Sequence, residues 1–252
     1  MTASNALRPL ALVLPGLLCA ELALAQDRDT ATPDAAPGAR GGRVTLGGFA
    51  IDRHEVTIAR FAQFVQATGR TTAAERDGGG FEWGSGWERR PGWNFRRPFG
   101  DSAAPQWPAV HVSWSEARDH CAWAGGRLPT RAEWTQAAYT EQGPGTAAGF
   151  TVGRTYPYPT GDSPEGANTN GADRWPRLAP VGETRIGVNG LHDMGANAWE
   201  WLADREGDTA LTAGGSWWYG PPQMQAGAMQ WKPADFYVVY IGFRCAYDLT
   251  RG

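Results

Sequence analysis

Apolar positions recur at helical spacing in three places along the chain. From Thr57 onward, Ile58, Phe61, Phe64 and Val65 fall on one face, with Thr57 placed to cap the start and Gly69 to stop the end. Ser113-Trp114-Ser115-Glu116 spells a capping box, in which a hydroxyl and a carboxylate reciprocally satisfy free backbone N–H groups. It opens a helix with Trp114, Ala117, Cys121 and Ala124 on one face, ending at Gly125-Gly126. A second box, Thr130-Arg131-Ala132-Glu133, follows Pro129 and turns Trp134 and Ala137 inward. Elsewhere only short strand-like runs, Arg43 to Leu46 and Phe236 to Ile241, stand between turn residues. The pattern predicts an α+β fold with much irregular structure and no internal repeat.

The first residues carry a different pattern. Arg8 precedes an apolar run from Leu10 to Ala20, and Ala23-Leu24-Ala25 supplies the small-x-small site that signal peptidase requires. Residues 1–25 are therefore expected to be a signal peptide; the run is too short to span a bilayer. Leu18, not a small residue, precedes Cys19, which argues against a lipid anchor. Residues 26–42 lack apolar periodicity and read as a disordered linker. Residues 43–252 are expected to form one domain, in the periplasm or outside the cell. Removing the signal leaves Cys121 and Cys245, and an even count in an oxidising compartment favours a disulfide.

Composition sharpens this picture. The 252 residues carry a net charge of −3, so no field points to nucleic acid or to an anionic membrane surface. The basic residues are arginines save for Lys232. Thirteen Trp with 34 Gly and 18 Pro predict a loop-rich body held by aromatic clusters.

Four ordered segments then become specific. His111 to Ala138 reads HVSWSEARDHCAWAGGRLPTRAEWTQAA, and Gly48-Phe49-Ala50-Ile51-Asp52 leads into Glu55-Val56-Thr57. Asn197-Ala198-Trp199-Glu200-Trp201 follows Gly190-Leu191-His192-Asp193-Met194, and Gly214-Gly215-Ser216 leads on to Gly242-Phe243-Arg244-Cys245. Together they resemble the formylglycine-generating-enzyme (sulfatase-modifying-factor) family over nearly all of the chain from Arg43. The resemblance implies a single-domain, C-type-lectin-like fold stabilised by calcium and disulfides, and it pairs Cys121 with Cys245. The strand and Met-Gly turn that usually open the family's domain are missing before Arg43, so an edge strand is expected to be shortened or absent.

The resemblance also implies two structural calcium sites. One comprises Asn168, the Thr169 carbonyl, Asp173 and the Trp175 carbonyl. The other comprises Asp193, the carbonyls of Ala196 and Ala198, and Glu200. Oxygen donors of this kind suit Ca²⁺; ordinary Asx turns and helix caps are the alternative. Asp193 stands where the eukaryotic enzyme has Asn, which adds negative charge to the second set.

What the family's enzyme needs for catalysis is absent. It oxidises a substrate cysteine with O₂ and Cu(I) held by two thiolates five residues apart, and a soft dithiolate site suits Cu(I). Those positions fall on Tyr219 and Met224, so no copper is expected. The candidate pocket is Ser216, Trp217, Trp218, Tyr219 and Met224, with Trp231, Phe236, Tyr237 and Tyr240 following. Core packing is the competing reading for each ring, though neighbours in an extended segment point to opposite faces. A histidine-carboxylate iron site drawn from His54, His111, His120 and His192 is a minor alternative; in the family's ergothioneine-type sulfoxide synthases the ligands come from an extra helical domain missing here. Two functions follow: a monomeric exported tailoring enzyme acting on a peptide-like small molecule, for which the family's periplasmic pyoverdine-maturation member is the precedent, or a non-catalytic module binding a peptide, glycan or periplasmic protein.

Overall fold

A computed structural model describes residues 42–143, 149–171 and 173–249. The expected signal peptide lies outside them, as does the linker up to residue 41. In chain order the elements are β1 (Arg43–Leu46), β2 (Phe49–Asp52), α1 (Ile58–Thr68), α2 (Ala73–Arg76), β3 (Gly79–Trp83), β4 (Trp87–Pro91), α3 (Trp114–Trp123), α4 (Arg131–Tyr139), β5 (Trp199–Glu206), β6 (Thr209–Ala213), β7 (Gln230–Pro233), β8 (Ile241–Gly242) and β9 (Ala246–Asp248).

The three helices form where their sequence signals place them. Thr57 Oγ1 accepts from the Arg60 N–H, and Gly69 ends α1 in the left-handed region at φ 64°. Ile58, Phe61, Phe64 and Val65 are its buried face. Both capping boxes close: Glu116 accepts from the Ser113 N–H at 2.9 Å, and Glu133 from the Thr130 N–H at 2.9 Å. A third box, Thr72 with Glu75, starts the short α2 and carries the same sequence signal.

Three sheets complete the body: β1-β2-β9, the β3-β4 hairpin, and β7-β6-β5-β8, in which only the β5–β8 pair is parallel. β1 is a four-residue edge strand, and β9 brings the end of the chain against β2. The expected strand from Phe236 to Ile241 does not form as such. Val238 makes a single bridge to Phe81, and regular pairing is confined to Ile241 and Gly242, because a turn at Val239–Tyr240 breaks the run.

The larger core gathers α1, α3 and the aromatic residues of the β5–β8 region, including Trp199, Trp201, Tyr240 and Phe243. A second core packs α4 against β2, β5 and β6 through Trp134, Ile51, Leu202 and Leu211. Cys121 and Cys245 are joined, tying α3 to the approach to β9 across 124 residues. A loop of that length is worth about 4 to 5 kcal/mol in the chain-entropy account.

Candidate functional site

Gly214 and Gly215 follow β6 with φ 95° and 80°, which L side chains avoid, and a Cβ on Gly214 would sit 2.8 Å from the Met194 carbonyl. This bend delivers Ser216 to Tyr219 over the Asn197 loop, where the Trp217 N–H donates to the Asn197 carbonyl. Opposite stands the loop from Thr169 to Pro176, and the Asn170 N–H donates to the Tyr219 carbonyl. Between them opens a cleft of about 390 Å³, lined by Trp217, Trp218, Trp175, Pro176, Thr169, Asn170, Gly171 and Asp173. Three indoles face polar oxygen and amide groups, the mixed lining that small-molecule sites favour.

Of the five pocket residues expected from the sequence, two line the cleft. Trp217 is nearly buried and packs edge-on against Phe99 and Trp218, with ring centroids 5.9 and 5.2 Å away. Tyr219 turns instead toward the core, edge-on to Trp199 and Tyr240, both at 5.7 Å. Ser216 is fully buried behind the cleft. Met224 belongs to a separate cluster with Ala167 and Ala196, because a short 3-10 turn at Pro221–Met224 folds it inward, where its carbonyl accepts from the Tyr139 hydroxyl. Tyr219 and Met224 therefore pack into different clusters.

The first calcium set lies in the cleft wall. Asp173 accepts from the backbone N–H groups of Thr169 and Trp175, both at 2.8 Å, which shapes the loop as an Asx turn. The Asn168 side chain donates to the Arg177 carbonyl and to Asn197 Oδ1, while its own Oδ1 is buried without a partner. An orphaned buried oxygen is what a cation would satisfy.

The second set is more heavily engaged. Both Glu200 oxygens take Arg244, and Oε2 also accepts from Trp134 Nε1 at 2.8 Å. Asp193 accepts from the Gly182 N–H and the Thr184 hydroxyl. Asp193, Ala196 and Asn197 all sit at positive φ near 60°, strain that clusters at this loop. Glu55, absent from the sequence-based set, joins them: Asn197 Nδ2 donates to its Oε1, and its carboxyl faces that of Asp193. Burial, and then the charges of Asp193 and Glu200, push the Glu55 carboxyl well above the usual carboxylate range. Glu200 alone bonds the Arg244 guanidinium, Asp193 and Glu55 act on it through charge, and a Glu55 carboxyl pushed toward its protonated form adds no negative charge to the set.

The histidines do not converge. His54 lies against the Glu55 carbonyl, His111 against Pro98, His120 among Phe61, Phe64 and Phe243, and His192 near the Thr184 carbonyl. Among the described residues, the one tight group of three possible metal-ligating side chains is His120 with Cys121 and Cys245, whose sulfurs are bonded to each other.

A loop-rich α+β domain with an aromatic cleft against a polar loop is the class this architecture defines. Residues 12–249 match the family described as sulfatase-modifying factor enzyme 1-like domain, and the chain belongs to that family. It is 30% identical over 276 residues to the formylglycine-generating enzyme of Thermomonospora curvata, covering 86% of this chain and 88% of that one. A 30% identity over 227 residues, 75% and 70% of the two chains, links it to the inactive C-alpha-formylglycine-generating enzyme 2 of Mus musculus. Among solved structures, PvdO from Pseudomonas aeruginosa superposes with a TM-score of 0.58 at 22% identity, over 80% of each chain.

Proposed function

We propose that this protein is an exported tailoring enzyme of the family that lacks copper-dependent cysteine oxidation and acts on a peptide-like small molecule, such as a siderophore precursor. The observation that carries the reading is the aromatic cleft beside Trp217 and Trp218; the resemblance to the family would put its copper thiolates at Tyr219 and Met224, a phenol and a thioether. The Cys121–Cys245 bond suits an oxidising compartment, and no helix among the described residues is long and apolar enough to cross a membrane.

Calcium belongs to this reading as a structural ion. Asn168, Thr169, Asp173 and Trp175 would hold it in the cleft wall, and Asp193, Ala196, Ala198 and Glu200, with Glu55 beside them, would hold a second. Thr169, Asp173 and Trp175 also line the cleft, so an ion there would fix the wall against which a ligand rests.

The purified protein should leave a Cys-x-Pro-x-Arg peptide unconverted with or without Cu(I), while a siderophore-precursor peptide quenches its tryptophan fluorescence. Formylglycine in the first peptide, read by mass spectrometry, overturns the assignment. A second reading, a non-catalytic binding module, is favoured by Trp83 and Trp87, each 45% exposed on the β3-β4 hairpin. Binding of the precursor without any change in its mass over prolonged incubation would select that module.

A further inference from the structure

Strand β7 is built the wrong way round for an edge strand. Trp231 faces outward at 44% exposure, while Lys232, the one lysine in the sequence, turns inward opposite the small, buried Ala210. An apolar residue would normally take the inward place. Ala210 leaves room for the lysine stem, and Nζ lies 5.0 Å from the centre of the buried Trp199 ring. Its hydrogen bond goes to Gln230 Oε1 on the same strand at 2.7 Å, and among the described residues no carboxylate forms an ion pair with it. Trp199 in turn carries Tyr219 on its edge, and Tyr219 carries Tyr240.

We infer that Lys232 is a nucleophilic amine site that condenses with an aldehyde or ketone, favouring carbonyl compounds with an aromatic group that can lie against the neighbouring rings. Local sequence rules are broken at functional positions more readily than elsewhere; the hydrogen bond to the Gln230 amide oxygen engages a proton of Nζ and not its lone pair, and although the Trp199 face favours the ammonium, burial works against it. Burial with no counter-charge lowers the ammonium pKa to about 8, so a usable neutral fraction exists near neutrality. Nζ adds to the carbonyl carbon, its two protons leave with the carbonyl oxygen as water, and a C=N bond remains. No oxidant or reductant is consumed. The inference does not depend on the cleft being the substrate site.

The test uses the full-length protein as purified, with benzaldehyde or propanal and sodium cyanoborohydride to trap the imine, followed by chymotryptic mapping across a pH series. The amino-terminal α-amine, with a pKa of about 8, is an internal standard, and the same chain in guanidinium chloride supplies the unfolded reference. Labelling of Lys232 should rise with a midpoint near pH 8 in the folded protein and near about 10.4 in the unfolded one. Benzaldehyde should be preferred over propanal by roughly tenfold relative to the α-amine. A folded midpoint near that of free lysine, protection from both aldehydes, or equal treatment of the two overturns the inference. Trp231→Ala, which alters only the outward face, should leave both readouts unchanged.

Discussion

Arg244 donates three hydrogen bonds to the carboxylate of Glu200, with both side chains essentially inaccessible to solvent. The same guanidinium reaches the carbonyls of Asp52 and His192, so it ties β2, the Asp193 loop and β5 together. Burial is the largest single effect and works against its charge, but the charge and hydrogen bonds of Glu200, with the charges of Glu55 and Asp193, together outweigh it and the Arg244 pKa stays raised. Breaking one partner of such a pair leaves an uncompensated buried charge. Arg244→Met should therefore destabilise the fold by about 3 to 5 kcal/mol in urea unfolding. A loss below 1 kcal/mol would mean that the pair is not desolvated as described. The pairing also makes Glu200→Ala a poor probe of calcium, because that change strands Arg244 whether or not an ion is present.

Acid should weaken the protein through two histidines. Burial lowers His111 to about 4 and His120 to about 3, whereas the unfolded chain takes up these protons near 6.5. Their contribution is full above pH 6.5 and is lost as pH falls toward 4 and then 3. Each adds a slope of about 1.4 kcal/mol per pH unit in that window. His111→Asn tolerates the φ of 56° at this position and should flatten the acid limb by one proton's slope, measured by urea titration at several pH values. An unchanged slope would show that His111 titrates normally in the folded chain.

How much of this was legible beforehand follows from how local each signal is. Thr57, Ser113 and Thr130 announce their helices because a cap needs only residues three positions apart. Thr72-Ala73-Ala74-Glu75 spells the same box and could have been found the same way. The β3-β4 hairpin had a signal too, Gly84-Ser85-Gly86 between aromatic runs. The false strand over Phe236–Ile241 had apolar density without alternation, which does not distinguish a strand from buried turns. At the site, alternation could say that Trp217 and Trp218 point to different neighbours, but not that Tyr219 would turn to Trp199 or Met224 to Ala196. Glu55 and Lys232 were beyond local reach: their meaning comes from partners 138 and 33 positions away, Asp193 and Trp199.

Calcium should raise the melting temperature, since an ion that binds only the folded chain stabilises by mass action, about 2.7 kcal/mol at a hundredfold excess over Kd. Asn168→Ala removes the orphaned Oδ1 while sparing the Glu200–Arg244 pair, so it separates the first site from the second. The variant should lose part of the calcium-dependent shift, in differential scanning fluorimetry with and without chelator. A chelator that leaves the wild-type melting temperature unmoved counts against both sites.

The cleft itself calls for substitutions whose stability and binding effects separate. Trp217 is 8% exposed and wedged against Phe99, so Trp217→Ala should cost about 3 to 5 kcal/mol of stability and mixes folding with function. Trp218 is half-buried, lines the same cleft, and has its ring 6.4 Å from Tyr240, so truncating it exposes space without gutting the core. A stacked ring contributes about 0.5 to 1.5 kcal/mol beyond its buried area. Trp218→Ala should then weaken a precursor peptide roughly three- to tenfold or more while moving the melting temperature little. Tyr219→Phe makes the complementary change. Its ring lies behind the cleft, and burial, then the charge and hydrogen bond of its hydroxyl, hold the Tyr240 phenol well above its usual range. Removing that hydroxyl should leave peptide affinity intact and lower turnover if the Tyr219–Tyr240 pair exchanges protons with the bound molecule. Affinity lost in Tyr219→Phe but kept in Trp218→Ala would move the ligand from the outer cleft to the side of Trp199.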